Sequence, residues 1–265
     1  MKLSTFLVVA FGAFGAVVSA QRGVPPVAQG APSDSRGARA VARTDLTGYW
    51  VAIVTEDWRW RMVTPLKGDA ASIPANAAAR PIIDAWDPAR DEAAGLQCKS
   101  YGAAAIMRVP GRLHITWPDD NTMKIDTDAG QQTRLLHFTG DAPRGAAPSW
   151  QGYSAAKWEA ALNSGFPPLS FAPGPARGPR STRTLEVATN NLRAGYLRKN
   201  GVPYSERTVV KEYFDQFSEP DGSTWFMVTT IVEDPVYLAV PFVTTSHFRK
   251  ERDASGWRPE PCSAR

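Results

Sequence analysis

The chain has 265 residues, of which 43% are hydrophobic and 21% are charged, a composition typical of a globular protein. This length fits one domain of about 200–220 residues with extensions better than two full domains. The formal net charge is +4, and the lysines and arginines are scattered along the chain. Because a nucleic-acid interface needs a basic stripe or patch, this distribution argues against a nucleic-acid partner.

The first twenty residues are typical of a secretory signal peptide. Lys2 supplies a positive start, residues 6–18 form a short apolar run, and Val18-Ser19-Ala20 is a small-residue cleavage site. A retained membrane anchor is the alternative, but the run is shorter than the ~20 apolar residues that span a bilayer. The sequence therefore predicts export to the periplasm or the medium, with no integral membrane segment after signal removal.

Residues 21–44 are rich in Gly, Pro, Ala, Ser and Arg and lack hydrophobic periodicity, which predicts a flexible arm. Order is expected from Asp45, so residues 45–265 form the predicted single domain. Within that domain, residues 161–182 are dense in Pro and Gly, which predicts a long surface loop.

The predicted domain opens on the segment "DLTGYWVAIVTEDWRWRM", which holds three of the nine tryptophans. If residues 48–63 form one extended strand, alternate side chains share a face. One face then carries Trp50, Ala52, Val54, Glu56, Trp58, Trp60 and Met62. This pattern is typical of a barrel wall, with Trp50 plugging the core and Glu56 as the one charged inner group. The alternative is that Glu56-Asp57 bends the chain and turns Glu56 into water.

The stretch between Leu66 and Cys98 is the part of the sequence that favours helix. "IPANAAARPIIDAW" is rich in alanine, and in "WDPARDEAAG" Asp87 is an N-cap, Pro88 the first helical residue and Gly95 the stop signal. These features predict short helices packed across one end of a larger β structure.

Most of the remaining sequence is predicted to form strands. The predicted strands are "RLHITW", "TMKIDTD", "QTRLLHF", "SWQGYSAAKWE", "LEVATNNL", "GYLRKNGVPYS", "RTVVKEYFDQF", "STWFMVTTIVED" and "FVTTSHFRKER". Hairpin turns are predicted at residues 118–121, at Asn200-Gly201 and at "SEPDG". The sequence therefore predicts a mainly β fold, an antiparallel lipocalin-like barrel of about 8–10 strands with short helices after the first strands, and a sandwich is the alternative.

The two cysteines, Cys98 and Cys262, are a candidate disulfide in an exported protein. Two separate buried thiols are the alternative. A bridge is favoured because Cys262 lies in the tail "RPEPCSAR", which nothing else in the sequence would attach to the domain.

Known catalytic patterns do not occur: the sequence has no G-x-S-x-G, H-E-x-x-H or C-x-x-C motif and no dinucleotide-binding glycine pattern. Candidate titratable groups are single histidines on predicted strands, paired aspartates in one strand, and an aspartate before a proline. They are His114, His137, His247, Asp126, Asp128 and Asp234. No spacing indicates a metal site, no cofactor is expected, and no catalytic residue is assigned.

Two resemblances accompany these patterns. "TGYW" at the start of the predicted first strand resembles the G-x-W motif of lipocalins, which implies an up-and-down barrel whose Trp closes one end and whose interior holds a small apolar ligand. An early rather than a late helix departs from that family's order. Residues 98–242 are similar to a group of exported bacterial proteins with "TWxGYSxGxWE" and "TIEDPxxY" motifs, here "SWQGYSAAKWE" and "TIVEDPVYL". That resemblance implies no mechanism.

The function predicted from these observations is the binding of a small apolar or aromatic molecule inside an exported barrel. The predicted ligand-binding residues are Glu56, Trp58, Trp60, Trp117 and Tyr153. One alternative is a barrel enzyme of isomerase or hydrolase type that uses Glu56, Asp126 or a histidine. A second is an envelope protein that contacts a partner through residues 161–182. The oligomeric state cannot be derived from the sequence.

Overall fold

A computed structural model describes residues 37–159 and 184–265, which are mainly β. The strands are β1 (Gly48–Ile53), β2 (Arg112–Thr116), β3 (Thr122–Thr127), β4 (Ala129–Gly130), β5 (Thr133–His137), β6 (Tyr153–Trp158), β7 (Leu185–Asn190), β8 (Gly195–Arg198), β9 (Val202–Tyr204), β10 (Val209–Ser218), β11 (Thr224–Glu233), β12 (Phe242–Lys250) and β13 (Glu260–Pro261). The helices are α1 (Trp58–Arg61), α2 (Arg80–Ala85) and α3 (Pro88–Ala93), with 3₁₀ turns at Gln97–Tyr101, Ile106–Arg108 and Ala254–Gly256. The predicted signal peptide, most of the predicted arm and all of the predicted 161–182 loop lie outside the described residues.

Nine of the strands close into a barrel, in the order β1-β12-β11-β10-β7-β6-β5-β3-β2. The predicted fold class is confirmed. One neighbouring pair, β5 with β6, is parallel, whereas the other pairs around the ring are antiparallel. Directions that alternate around a closed ring need an even number of strands, so a ring of nine must contain such a pair. Residues 138–152 connect the end of β5 to the start of β6 at the opposite end of the barrel, so the two strands run in the same direction.

The predicted hairpins are confirmed. β2 and β3 pair across residues 117–121, and β10 pairs with β11 along ten residues each, around "SEPDG". β8 and β9 pair outside the ring, and their turn contains Gly201 with φ +82°, a left-handed conformation that glycine adopts without steric cost. Local turn chemistry was therefore sufficient to place these strand pairs.

The segment after β1 differs from the extended strand expected over residues 48–63. β1 ends at Ile53, Asp57 adopts a left-handed φ of 52°, and α1 begins at Trp58. Asp tolerates this conformation better than most residues. The predicted alternative, a bend at Glu56-Asp57, is what the structure has, so Glu56 and Trp58 do not share an inner face with Trp50.

The interior of the barrel is filled by inward-facing side chains. Fully buried examples are Trp50, Ile115, Met123, Ile125, Leu136, Leu185, Val187, Phe214, Phe226 and Phe248. Trp50 plugs this core as predicted: its indole N–H donates to the Leu46 carbonyl at 2.9 Å, and its ring meets Phe226 edge-on at 4.6 Å. A lipocalin-type ligand cavity in the middle of the barrel is therefore not supported.

One polar cluster interrupts this apolar interior. Arg134 on β5 faces Glu212 on β10, with Nη1–Oε1 and Nη2–Oε2 distances of 3.1 and 2.7 Å, and neither side chain is exposed. The guanidinium also donates to Ser154 (3.4 Å) and Thr189 (3.2 Å). A buried charge needs such a partner, since removing an isolated charge from water is costly.

A second apolar cluster covers the barrel end at which β10 begins. It contains Ile83 from α2, Ala103 and Ala104 from the following segment, Leu197 and Tyr204 from β8 and β9, and Val210, Val232 and Phe242 from the barrel. α3 has the predicted signals: Asp87 accepts from the backbone N–H of Ala89 at 3.0 Å, Pro88 is the first residue, and Gly95 has φ +68°. Short helices thus lie across one end, as predicted.

Two further attachments hold chain segments against the barrel. Cys98 and Cys262 form the predicted disulfide, with an S–S distance of 2.00 Å, and β13 next to Cys262 pairs with β4. Residues 37–44, which the sequence places in the arm, begin with contacts to the β2–β3 turn: Ala38 N–H donates to Asn121 Oδ1 at 3.0 Å. Packing on the barrel therefore begins before Asp45.

Candidate functional site

A cleft of about 350 Å³ lies beside the segment that covers the barrel end. Its walls come from residues 60–64, from residues 100–110, from the end of β8 and from the C-terminal tail. We call it the end cleft. Its volume lies at the lower end of the range of roughly 300–1,000 Å³ that is usual for small-molecule sites.

The end cleft has an aromatic and aliphatic part. This part consists of Trp60, Met62, Val63, Tyr101, Val109 and Leu197. The Trp60 indole N–H donates to Asp69 Oδ2 at 3.1 Å, and the Arg59 and Arg198 guanidinium carbons lie 5.5 and 5.2 Å from its ring centre. Such cation–π contacts fix the plane of an indole, so Trp60 presents a positioned aromatic surface.

Two buried arginines line the same cleft. The Arg61 side chain is 1% exposed, pairs with Glu56, and donates from Nε to the Arg108 carbonyl at 2.8 Å. The Arg108 side chain is 8% exposed and donates from Nη2 to Asp57 Oδ2 at 2.8 Å. Among the described residues, Arg61 Nη2 and Arg108 Nη1 are buried and have no hydrogen-bond partner. A buried donor without an acceptor costs roughly 1–3 kcal/mol.

A third arginine of the cleft has neutral partners. Arg198 Nη2 donates to the Ala71 carbonyl at 2.8 Å and to Ser72 Oγ at 2.9 Å. Burial, assisted by the charge of Arg108 and opposed by Asp69 and Asp57, lowers the pKa of Arg198 to about 10. Burial also lowers the pKa of Arg61, against the opposing effect of Glu56. Burial is the main cause of both shifts, and an added anion near either guanidinium would oppose them.

The C-terminal tail completes the cleft. Glu260, Pro261 and Arg265 line it, and the Lys199 ammonium donates to the Arg265 backbone oxygen at 3.1 Å while lying 5.1 Å from the Tyr101 ring centre. The disulfide that holds this tail to the domain therefore also supports one wall of the site.

Only one of the five predicted ligand-binding residues lines this cleft, and it is Trp60. Glu56 pairs with Arg61 behind the cleft and contacts His247 Nδ1 at 3.2 Å. Trp58, one residue past the left-handed Asp57, is 67% exposed and faces solvent. The bend that ends β1 separates these three side chains, which the extended-strand prediction had aligned.

The other two predicted residues lie elsewhere on the barrel. Trp117 packs against Phe138, with ring centres 5.2 Å apart, and borders a separate, more open depression near Asp45. Tyr153 stacks on His137 at 4.8 Å on the outer surface and donates its hydroxyl to the Gly140 carbonyl at 3.0 Å. The five residues therefore do not form one pocket.

The histidines do not meet a catalytic partner in a cavity. His114 stacks on Tyr49 with ring centres 4.1 Å apart, and His137 stacks on Tyr153. His247 Nδ1 lies 3.2 Å from both Thr55 Oγ1 and Glu56 Oε2. A nucleophile–base–acid relay needs the two partners on different ring nitrogens, so this cluster lacks the geometry of a triad.

The two aspartates predicted to share a strand have different roles, because β3 ends at Thr127 and Asp128 lies beyond it. On the outer face, Asp126 accepts a hydrogen bond from Thr133 Oγ1 at 2.6 Å and forms an ion pair with Lys124 at 2.8 Å. Asp128 is buried and accepts from the backbone N–H groups of Arg112 at 2.6 Å and Ala129 at 2.7 Å. Within the described residues, no group of three or more His, Cys, Asp or Glu side chains has a metal-binding arrangement.

Asp234, in the "EDP" motif, organises a loop crossing. Its carboxylate accepts from Ser205 Oγ at 3.0 Å, from Thr208 Oγ1 at 2.8 Å and from the Val236 backbone N–H at 2.7 Å. Burial alone would raise the pKa of Asp234, but the hydrogen bonds, led by that of the Ser205 backbone N–H, lower it below its usual value. Asp234 therefore ties the β9–β10 turn to the end of β11, and this role accounts for the motif.

Asp234→Asn is expected to destabilise the protein by about 1–3 kcal/mol at neutral pH, since it leaves buried donors poorly paired. The folded pKa of Asp234 is lowered. Its contribution is therefore complete above the unfolded value of about 3.9 and is lost as the pH falls through the folded pKa. Urea unfolding of both proteins from pH 7 to pH 2 measures this difference. A gap that stays constant over that range would contradict the proposed role.

Comparisons with protein-family models, with curated proteins and with solved structures gave no match for this chain. The resemblances to lipocalins and to exported bacterial proteins stay predictions. Among the described residues, no helix has the length and apolar character needed to cross a bilayer.

Proposed function

We propose that this chain is an exported binding protein whose ligand, a small and largely aromatic or apolar molecule, occupies the end cleft. The observation that carries the proposal is the cleft itself: about 350 Å³, with Trp60 held in a fixed plane above aliphatic and aromatic walls. Polar atoms make up more than half of the exposed lining of the cleft, so the ligand is expected to carry polar groups beside its aromatic or apolar part.

Two observations support the choice of the end cleft over the barrel centre. The central side chains, including Phe214, Phe226 and Phe248, are buried against one another. The ring of Trp60, in contrast, borders open volume. Export is proposed from the signal-like first twenty residues, and the Cys98–Cys262 disulfide fits an oxidising compartment.

Titration with N-phenyl-1-naphthylamine, an uncharged aromatic probe, tests the proposal. We expect saturable binding with a stoichiometry of one, and Trp60→Ala is expected to weaken it about tenfold, since an aromatic contact of this kind contributes on the order of 1 kcal/mol or more. Trp117→Ala is the matched control, because it removes a partly buried tryptophan away from the end cleft.

Two results would contradict the proposal. One is the absence of saturable binding of both this probe and its sulfonated analogue 8-anilinonaphthalene-1-sulfonate by the folded wild-type protein, checked by near-ultraviolet circular dichroism. The other is an equal loss of affinity in the Trp60→Ala and Trp117→Ala variants. Native mass spectrometry of the purified protein would then identify any molecule that it carries from its host.

The enzymatic and envelope alternatives stay predictions. Glu56 and His247 are neighbours, yet neither lines the end cleft. The segment that the envelope alternative requires, residues 161–182, lies outside the described residues.

A further inference from the structure

We propose that the ligand of the end cleft carries an anionic group, a carboxylate, sulfonate or phosphate, which the guanidinium groups of Arg61, Arg108 and Arg198 receive. This inference rests on the proposed function and specifies its ligand class as a soluble anionic amphiphile. Arginine suits the role because its planar guanidinium presents several N–H donors that match the oxygens of such groups.

Unmet hydrogen-bonding capacity is the first argument. Arg61 Nη2 and Arg108 Nη1 are shielded from solvent and have no acceptor within the described parts of the chain, although both residues line the cleft. Buried guanidinium donors are normally paired. Because both atoms are shielded from solvent, an anion in the cleft would pair with them after a shift of the two guanidinium groups toward the open volume.

The charge of the lining is the second argument. Five lining residues are basic, namely Arg61, Arg108, Arg198, Lys199 and Arg265, whereas Glu260 is the acidic one. Glu56 and Asp57 pair with the first two arginines, and Glu92 lies 4.0 Å from the Arg265 guanidinium. Arg198 has no carboxylate partner among the ion pairs of the described residues, and its hydrogen bonds go to backbone carbonyls and a hydroxyl.

The arrangement of charge and apolar surface is the third argument. Arg198 stacks on the Trp60 ring, so the cationic and the aromatic parts of the cleft share an edge. A free inorganic anion would use only the arginines, and an uncharged hydrocarbon would leave Arg198 without an anionic partner. A molecule with an anionic head and an apolar or aromatic body satisfies both parts.

A matched pair of probes tests the inference. 8-Anilinonaphthalene-1-sulfonate has the same ring system as N-phenyl-1-naphthylamine and differs by its sulfonate. We expect the sulfonate probe to bind the wild-type protein at least about tenfold more tightly, because hydrogen bonds between charged groups are stronger than neutral ones. Raising the ionic strength should reduce this preference.

Arg198→Met should lower the ratio of the two affinities by about tenfold. Arg198→Lys keeps the positive charge but loses the planar guanidinium with its several N–H donors, so it should restore part of the ratio. Arg249→Met is the matched control. Arg249 also stacks on a tryptophan, Trp225, but does not line the end cleft, so its loss should leave the ratio unchanged.

The outcomes separate the two proposals. If both probes bind with equal affinity, or if the uncharged probe binds more tightly, the anionic-ligand inference is wrong and the proposed function stands. If neither probe binds, the proposed function fails and the inference fails with it. Should the Arg198 variants not fold, the wild-type affinity ratio and its dependence on ionic strength decide the question alone.

Discussion

Arg134→Met is expected to lower the free energy of unfolding by about 3–5 kcal/mol, because it leaves Glu212 as an uncompensated charge inside the barrel. The two side chains are fully buried and doubly hydrogen-bonded to each other. Glu212→Leu is expected to cost a similar amount, for the same reason with the charge reversed. Either loss is comparable to the whole stability of a marginal domain.

The double replacement Arg134→Met/Glu212→Leu should recover most of this loss. Ser154 and Thr189, the other partners of Arg134, lie 2.8 Å from each other and stay hydrogen-bonded without it. Replacing a buried ion pair with apolar residues of similar volume is often neutral or stabilising by about 1–4 kcal/mol. Urea unfolding of the four proteins, arranged as a double-mutant cycle, measures the coupling free energy.

A surface pair that shares strand β10 with Glu212 supplies the control. Lys211 and Glu233 join β10 to β11 at 2.8 Å, with side chains 41% and 42% exposed. Breaking this pair should cost about 1 kcal/mol or less, since solvent screens it. The Arg134→Met/Glu212→Leu protein should be more stable than either single variant. If it is not, the interpretation that charge compensation rather than shape dominates at this position is wrong.

Replacing both cysteines, Cys98→Ala with Cys262→Ala, is expected to lower the free energy of unfolding by about 4–5 kcal/mol, at the top of the usual range. The bridge joins residues separated by 164 positions, and cross-linking so long a loop removes much of the entropy of the unfolded chain. The comparison requires oxidised wild-type protein and the variant in the same urea series.

The wild-type protein under thiol-reducing conditions is the control for this prediction, because it loses the bridge without changing side-chain volume. Its unfolding midpoint should fall to that of the double variant. A loss below about 1 kcal/mol in both cases would contradict the prediction and would mean that the tail constrains the unfolded chain little. Loss of binding to the end cleft with stability retained would instead indicate that the tail acts on the cleft wall.

Features with local causes were predictable from the sequence. The turn at Asn200-Gly201, the cap at Asp87-Pro88 and the alternating strands of the β10–β11 hairpin each depend on residues that are close in the chain. The count of strands and the closed barrel followed from these elements. The disulfide followed from there being two cysteines in a chain with a signal-like start.

The sequence left two alternatives after β1, an extended strand and a bend, because "WRWR" continues the apolar–polar alternation of a strand. The left-handed Asp57 breaks that alternation, and its carboxylate is held by Arg108, which lies 51 positions away. A contact of that sequence separation leaves no local pattern. For the same reason, a strand pattern alone could not locate Glu56.

The arginine cluster was also beyond the reach of sequence patterns. Arg61, Arg108 and Arg198 lie on three unrelated segments, and the chain has many other scattered basic residues. Only the closure of the barrel and the helical segment across its end bring the three together. Trp60 was predicted to face a ligand, but on the assumption that it pointed into the barrel.

The central claim is that the binding site is the end cleft and that the barrel interior is closed to ligand. Isotope-filtered nuclear Overhauser measurements on the complex with 8-anilinonaphthalene-1-sulfonate test this claim most directly. We predict contacts from probe protons to Trp60, Val63 and Leu197. Contacts to Phe214, Phe226 or Phe248, which fill the barrel, would contradict it.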